Sequence, residues 1–97
     1  MKLVFHRLIL KDLQSVLAYY TAQSGPELAE CFSREFHEVV AKVVEQPRHF
    51  HFVSHGLRRA NFPRFPFHLL YRETEGSIKI LVLRHHRRKP GFGMERQ

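Results

Sequence analysis

Two strands joined by a short turn in the C-terminal half constrain the fold more than any other feature of the chain. Residues 67–72 (FHLLYR) and 78–83 (IKILVL) consist mostly of apolar and aromatic side chains, a composition that favours β-strands. The intervening residues 73–77 (ETEGS) contain a glycine and no apolar side chain, which is typical of a turn. The two strands should therefore pair as an antiparallel hairpin, and the rest of the chain has to build a sheet around them.

The alternation of side chains along the first of these strands assigns its two faces. The odd-numbered positions are apolar or aromatic and fall on one face, which we expect to be buried. The opposite face carries His68, Leu70 and Arg72. Because a leucine stands among the polar residues of this second face, we expect something else to cover that face in part.

The N-terminal half predicts a short strand followed by two helices. Residues 2–6 (KLVFH) favour a strand, and from Leu8 the apolar residues recur at the three- and four-residue steps of an amphipathic helix. Residues 23–26 should end this helix, and Ser24 followed by Glu27 resembles a capping box that begins a second one. The apolar face of the second helix comprises Leu28, Phe32, Phe36, Val39, Val40 and Val43. Gln46 and Pro47 should end it, and the two helices should pack as an antiparallel hairpin.

The remaining segments complete the predicted architecture. Residues 49–55 are expected to form an irregular connection, residues 56–62 another strand, and residues 63–66, which contain two prolines, a turn. The predicted fold is α+β with the order β-α-α-β-β-β, in which a helical hairpin packs on one face of a small antiparallel sheet. With only 97 residues the chain has room for one core, so residues 1–97 are expected to form a single domain.

The net charge of +7 lies entirely in the C-terminal half. Residues 1–47 contain five Lys and Arg against six Asp and Glu, a balance of −1, whereas residues 48–97 contain eleven against three, a balance of +8. The second strand of the hairpin runs directly into the block RHHRRKP at residues 84–90. Such an asymmetry is consistent with a basic surface that serves solubility, and also with a docking face for nucleic acid or an acidic protein.

Several classes of protein are disfavoured by the composition. Cys31 is the only cysteine, so no internal disulfide is possible, which fits a reducing cytoplasm. No secretory signal or membrane-spanning run is found, and we expect a soluble, cytoplasmic protein without membrane association. The histidines at positions 49, 51, 55, 85 and 86 have no cysteine pair and no neighbouring carboxylate to complete a metal site. We therefore expect neither a metal nor a cofactor.

With this order of elements, five short motifs make the chain resemble a known family. Asp12-Leu13 with Tyr19-Tyr20 on the first helix is similar to a D-L…Y pattern, and Glu45-Gln46-Pro47 to a helix-ending proline. The segments LRR at 57–59, FPFHLLYR at 65–72 and VLRHHRRKP at 82–90 are similar to three strand motifs of the same family. Together they resemble the RelE/ParE superfamily, the toxins of type II toxin–antitoxin systems.

The resemblance implies a small toxin that inhibits growth, is associated with plasmid stabilisation, and is neutralised by a cognate antitoxin. We expect the antitoxin to contribute an acidic amphipathic segment that covers Leu70 while its carboxylates meet the arginines nearby. The residues expected to bind the antitoxin or the target are Arg58, Arg59, Leu70, Arg72, Arg84, His86, Arg87, Arg88 and Phe92. The oligomeric state cannot be inferred from the sequence.

The superfamily is known for two different activities. Its RelE-like branch cleaves mRNA in the ribosome, whereas its ParE-like branch binds and poisons DNA gyrase without being a nuclease. Cleavage by a 2′-hydroxyl needs a base, an acid and cations that stabilise the transition state. If the chain were RelE-like, the resemblance would assign these roles to His68, His85 and Arg88.

The residues depart from the RNase pattern at several positions. His68 stands where an arginine is typical of the strand in these RNases. The connection over residues 49–55 has no lysine, and the last residues of the chain include Phe92 and Met94 but no tyrosine. These departures favour the ParE-like, non-catalytic branch with DNA gyrase as the partner. A RelE-like nuclease acting on ribosome-bound mRNA, a divergent member that only binds an antitoxin, and a free-standing basic nucleic-acid-binding module are the alternatives.

Overall fold

The computed structural model describes all of residues 1–97. In chain order the elements are β1 Lys2–Phe5, α1 Ile9–Ser24, α2 Pro26–Glu45, β2 His51–Ser54, β3 Leu57–Asn61, β4 Phe67–Thr74 and β5 Ser77–His85. The strands form one sheet in the order β1-β5-β4-β3-β2, with the helices packed on one of its faces. The predicted α+β class is confirmed. Neither helix is both long and apolar enough to cross a membrane.

The sheet differs from the expected one at its two edges. β1 pairs with β5 in parallel, so the sheet is mixed rather than purely antiparallel. The prediction of an irregular connection over residues 49–55 is wrong, because His51–Ser54 form the edge strand β2, antiparallel to β3. His55 and Gly56, with φ of 55° and 71°, form the two-residue turn between them. Positive φ at both positions is the geometry that matches the twist of a tight hairpin.

The junction of the two helices is built differently from the predicted capping box. Ser24 is the last residue of α1 and makes no capping hydrogen bond, and Pro26 is the first residue of α2. Gly25, with φ of 87°, lies between them and allows the chain to reverse where a side chain would be strained. The predicted apolar face of α2 is confirmed for Phe32, Phe36, Val39, Val40 and Val43, which are buried, whereas Leu28 is only half-buried.

The main core lies between the helical hairpin and the sheet. The predicted alternation of β4 is confirmed, since Phe67, Leu69 and Tyr71 all belong to this core. The rings of Phe62 and Phe67 lie 5.0 Å from that of Phe32, which joins α2 to the sheet. The hydroxyl of Tyr71 donates to the carbonyl of Pro47 at 2.5 Å. Aromatic side chains bury large apolar areas, so this cluster contributes strongly to the stability of the core.

A second, smaller apolar cluster lies on the opposite face of the sheet and comprises Leu57, Leu70, Leu81 and Val82. The C-terminal segment of residues 89–97, called the tail below, crosses this face and packs Phe92 and Met94 on the cluster. Gly93 lies so close that a Cβ atom built on it would be 2.6 Å from a methyl group of Val82. The chain therefore covers its own second face.

This arrangement corrects one expected contact. Leu70 is fully buried, because the tail and not a partner covers it. It is therefore not available to the acidic antitoxin segment that was expected to cover it. The expectation that the second face of β4 is covered was right, but the covering element lies within the chain.

Candidate functional site

Four basic side chains from three neighbouring strands form a connected group, called the basic cluster below: Arg59, His68, Arg84 and His86. His68 on β4 lies opposite Arg84 on β5, and Arg59 comes from the adjoining strand β3. His86 follows β5, and its main-chain N–H donates to the carbonyl of Pro66 at 2.9 Å. The register of the strands thus brings together side chains up to 27 positions apart in the sequence.

A chain of hydrogen bonds fixes the proton positions in the basic cluster. Arg84 Nε donates to His68 Nε2 at 2.9 Å, and Arg59 Nη2 donates to His86 Nδ1 at 3.1 Å. A guanidinium group can only donate, so both of these imidazole nitrogens are acceptors. Neutral His68 carries its proton on Nδ1, which lies 2.9 Å from His86 Nδ1 and donates to it, so His68 and Arg59 share the one lone pair of His86 Nδ1. Both histidines are neutral in this arrangement.

The electrostatics of the basic cluster agree with this assignment. Burial, followed by the charges of Arg59 and Arg84, lowers the pKa of His68 to about 3. The pKa of His86 is also lowered, by burial first and then by Arg59 and His85. Burial lowers the pKa of Arg84 too, but a guanidinium remains charged at neutral pH. The cluster therefore carries the two positive charges of its arginines, separated by neutral imidazoles.

No carboxylate balances these charges. The ion pairs of the protein involve Arg48, Arg64 and Arg96, and none of them includes an arginine of the basic cluster. Arg59 makes its other side-chain hydrogen bond to the neutral amide of Asn61, at 2.8 Å. The two guanidinium groups are thus held by neutral acceptors, and their positive charges have no counter-charge within the protein.

Arg87 and Arg88 extend the positive surface beyond the cluster. Both are exposed and form no ion pair. The guanidinium of Arg88 lies 4.1 Å from the ring centroid of Phe92, whereas only the main-chain N–H of Arg87 is bound, by His85 Nδ1 at 3.0 Å. A cleft of about 510 Å³ opens beside Arg88 between α1, the end of β5 and the tail. Four of the arginines expected to bind a partner, at positions 59, 84, 87 and 88, are therefore found at the same end of the β4–β5 hairpin.

Two other expected binding residues lie apart from this group. Arg58 belongs to the face of the helices, where it donates to the carbonyl of Phe50 at 2.6 Å and lies 3.9 Å above the ring of Phe52. Arg72 shares a face with His68 but lies four residues further along β4, at a distance of about 13 Å. It donates to the carbonyl of His55 at 3.4 Å. The structure therefore does not bring these two arginines into the basic cluster.

The geometry of the predicted catalytic residues does not provide an acid–base pair. His68 is 1% exposed, and both of its ring nitrogens are engaged within the basic cluster. General acid–base catalysis requires a nitrogen within hydrogen-bond reach of the substrate, and His68 has none free. His85 and Arg88 do line the cleft, together with Tyr19 and Tyr20 of α1, and burial raises the pKa of Tyr20. Tyr71 on β4 does not line the cleft, and burial raises its pKa to about 12. The site presents cations and hydrogen-bond donors, which is chemistry suited to binding anions.

The most important pair that sequence reasoning missed is the buried ion pair of Asp12 and Arg96. Arg96 Nη1 lies 2.6 Å from Asp12 Oδ2, and Arg96 Nη2 lies 3.1 Å from Asp12 Oδ1. The residues are 84 positions apart, so no local pattern links them. A carboxylate on the apolar stripe of α1, three residues after Ile9, was the only available signal. No group of three histidine, cysteine or acidic residues is arranged to hold a metal ion.

Comparisons with known proteins agree with this architecture. A structure described as the chromosomal ParDE toxin–antitoxin system from P. aeruginosa superposes with a TM-score of 0.72, covering 88% of this chain and 95% of that chain. The sequences are 23% identical, so this likeness shows the fold alone. A search of curated protein sequences gives no match. The family model of the ParE toxin of type II toxin–antitoxin systems, parDE, matches residues 3–90, nearly the whole chain. The protein therefore belongs to the ParE toxin family of type II toxin–antitoxin systems.

Proposed function

We propose that the protein is a ParE-like toxin that inhibits growth by binding DNA gyrase in the cytoplasm and is neutralised by a cognate antitoxin. The whole of residues 1–97 acts as one domain in this proposal. Membership of the ParE family supports the toxin role. The gyrase target and the antitoxin come from the sequence resemblance to the ParE-like branch.

The single observation that carries the proposal is the uncompensated charge of the basic cluster. Arg59 and Arg84 are held in place by neutral histidines, and no carboxylate of the chain reaches them. Charge-assisted hydrogen bonds from arginine to carboxylate are among the strongest polar contacts in proteins. Because the two arginines are already ordered, a partner loses less conformational freedom on binding to them than to flexible surface arginines.

The same surface supports neutralisation by an acidic antitoxin segment. Its carboxylates would meet Arg59, Arg84, Arg87 and Arg88, while its apolar side chains would rest on the half-buried ring of Phe92 and in the cleft beside it. Leu70 has no part in this contact, because the tail buries it.

The geometry favours binding over catalysis as the basis of toxicity. The buried, fully bonded His68 offers no base, and no tyrosine replaces it in the tail. A RelE-like nuclease would have to rely on His85 and Arg88 with Tyr19 and Tyr20 of α1, which line the same cleft. Both a base and an acid are needed for cleavage, and burial raises the pKa of Tyr20, which makes its hydroxyl a poorer base.

Supercoiling of relaxed plasmid by purified gyrase tests the proposal. The wild-type protein should inhibit supercoiling, and the double variant Arg87→Glu/Arg88→Glu should inhibit much less. The matched control is Lys2→Glu/Lys11→Glu, which changes the net charge equally at two exposed positions outside the cluster and should inhibit normally. Absence of inhibition by the wild-type protein, together with cleavage of ribosome-bound mRNA, would instead support the RelE-like alternative.

A further inference from the structure

A buried ion pair between Asp12 of α1 and Arg96, called the clasp below, attaches the tail to the body of the protein. The tail is also held by the packing of Phe92 and Met94 and by a hydrogen bond from Lys79 Nζ to the carbonyl of Gln97. Both side chains of the clasp are 6% exposed. Asp12 Oδ2 also accepts from the main-chain N–H of Leu83 at 3.2 Å, and Arg96 Nη1 also donates to the carbonyl of Leu81 at 2.9 Å. β1 pairs with β5 only over residues 77–80, so these β5 groups lie at an edge that no strand covers. The clasp therefore provides hydrogen-bond partners for the Leu83 N–H and the Leu81 carbonyl, and it also binds the tail.

The tail in turn holds two arginines of the proposed binding surface. Arg84 Nη1 donates to the carbonyls of Pro90 at 2.7 Å and Phe92 at 2.9 Å. The ring of Phe92 supports the guanidinium of Arg88 at 4.1 Å on one side and lies 5.3 Å from that of Arg96 on another. Phe92 therefore connects the clasp to Arg84 through its main chain and to Arg88 through its ring.

We propose that Asp12 and Arg96 are positioning residues for partner binding, acting through the tail on Arg84 and Arg88. With the clasp closed, both guanidinium groups are ordered before a partner arrives. With the clasp open, Arg84 loses two carbonyl acceptors and Arg88 loses its aromatic support. Ordering a long side chain on binding lowers affinity, so a protein with an open clasp should bind its partner more weakly. The expected loss of affinity for gyrase rests on the function proposed above, whereas the expected loss of contacts at Arg84 and Arg88 does not.

Breaking the clasp should release the tail and leave the rest of the fold in place. In the variant Asp12→Asn the guanidinium of Arg96 would be buried without a counter-charge, which is strongly unfavourable. The charge of Arg96 returns to water only when the tail leaves β5, and the contact between Arg96 and the ring of Phe92 links Phe92 to that movement. The main core lies on the other face of the sheet and does not include the tail.

Nitrogen-15 NMR of the arginine side chains tests the proposal directly. In the wild-type protein the Nη1–H signals of Arg84 should be dispersed and slow to exchange, because Nη1 donates to the carbonyls of Pro90 and Phe92 in the tail. In Asp12→Asn those signals should move towards the position of a free arginine, the amides of residues 91–97 should exchange rapidly, and those of α2 should be unchanged. Affinity for purified gyrase should fall about tenfold, as expected for two arginines that must be ordered on binding.

The matched control is Glu35→Gln, the same kind of change at the other buried carboxylate. Glu35 is 1% exposed and accepts from Arg64 Nε at 2.8 Å and from the Arg64 main-chain N–H at 3.0 Å, remote from the tail. This variant is expected to lose stability but to keep the Arg84 signal and the gyrase affinity. An equal loss of the Arg84 signal in both variants would mean general loosening of the fold and would overturn the proposal.

A mutant cycle separates the clasp from a merely structural role. Arg96→Gln should reproduce the effects of Asp12→Asn, and the double variant should be no worse than either single one, because the two residues act as a pair. Arg96→Lys, which keeps the charge, should restore part of the affinity. An unchanged Arg84 signal in Arg96→Gln overturns the proposal, and this variant decides the matter if Asp12→Asn does not fold. If the Arg84 signal responds as expected while the wild-type protein fails to bind gyrase, the clasp stands and the proposed target is wrong.

Discussion

Acidification should destabilise the protein because His68 has to remain neutral inside the fold. Its pKa is about 3 when folded and 6.5 in the unfolded chain. Between these values the unfolded chain binds a proton that the folded protein excludes. The stabilising contribution of neutral His68 is therefore complete above the unfolded pKa of 6.5 and is lost as the pH falls towards 3.

The size of this effect follows from the difference between the two pKa values. About pH 5 lies roughly 1.5 units below the unfolded pKa, and each unit corresponds to about 1.4 kcal/mol, so the loss relative to about pH 8 is about 2 kcal/mol. That is a substantial share of the roughly 5–15 kcal/mol by which a small domain is usually stable. The pKa values of His86 and His6 are lowered as well, mainly by burial, and act in the same direction.

The variant His68→Gln isolates the contribution of this one side chain. A glutamine can accept from Arg84 and donate to His86, but it does not titrate. Urea unfolding followed by circular dichroism should be measured for both proteins from about pH 8 to about pH 5. The free energy of unfolding of the wild-type protein should fall by about 2 kcal/mol more than that of the variant. Parallel pH profiles for the two proteins would refute the assignment of a buried, neutral His68.

Two further substitutions test the packing on either face of the sheet. Gly93→Ala should loosen the tail, because φ is +80° at this position and the new Cβ would collide with Val82. We expect the free energy of unfolding to fall by on the order of 1–2 kcal/mol and the amides of the tail to exchange faster. Unchanged amide exchange would contradict the tight contact. Tyr71→Phe removes the hydrogen bond to the carbonyl of Pro47 and should lower the free energy of urea unfolding by about 1 kcal/mol, whereas an unchanged free energy would contradict a stabilising role for this bond.

The regular parts of the fold could be predicted because their signals are local. The alternation of side chains along β4 and the three- and four-residue spacing of apolar residues along α2 each predict which face packs in the core. The predicted face of β4 and that of α2 both lie in the main core. β2 was missed because all of its four residues are exposed, so burial imposes no alternation on it. The turn residues His55 and Gly56 were the only cue to that hairpin, and histidine is not among the usual residues of such a turn.

The candidate site could be predicted only in its composition. The arginines at positions 59, 84, 87 and 88 were identified from charge, and the strand register explains why they meet. The burial of His68 could not be inferred, because His68 packs against Arg84 of β5 and His86 after it, and Arg84 is bonded to the tail, which has no regular secondary structure. The tail depends in turn on a contact between Asp12 and Arg96 across 84 positions. Long-range contacts of this kind arise from the packing of complete elements and leave no periodic pattern in the sequence.

The dissociation constant of the protein for purified gyrase, measured at about 50 and about 300 mM salt, tests the central claim most directly. Binding through the free charges of Arg59, Arg84, Arg87 and Arg88 should be weaker at the higher salt concentration. The variant Arg87→Glu/Arg88→Glu should bind more weakly and with less dependence on salt than the wild-type protein. A dissociation constant that is the same at both salt concentrations and in both proteins would contradict docking through this surface.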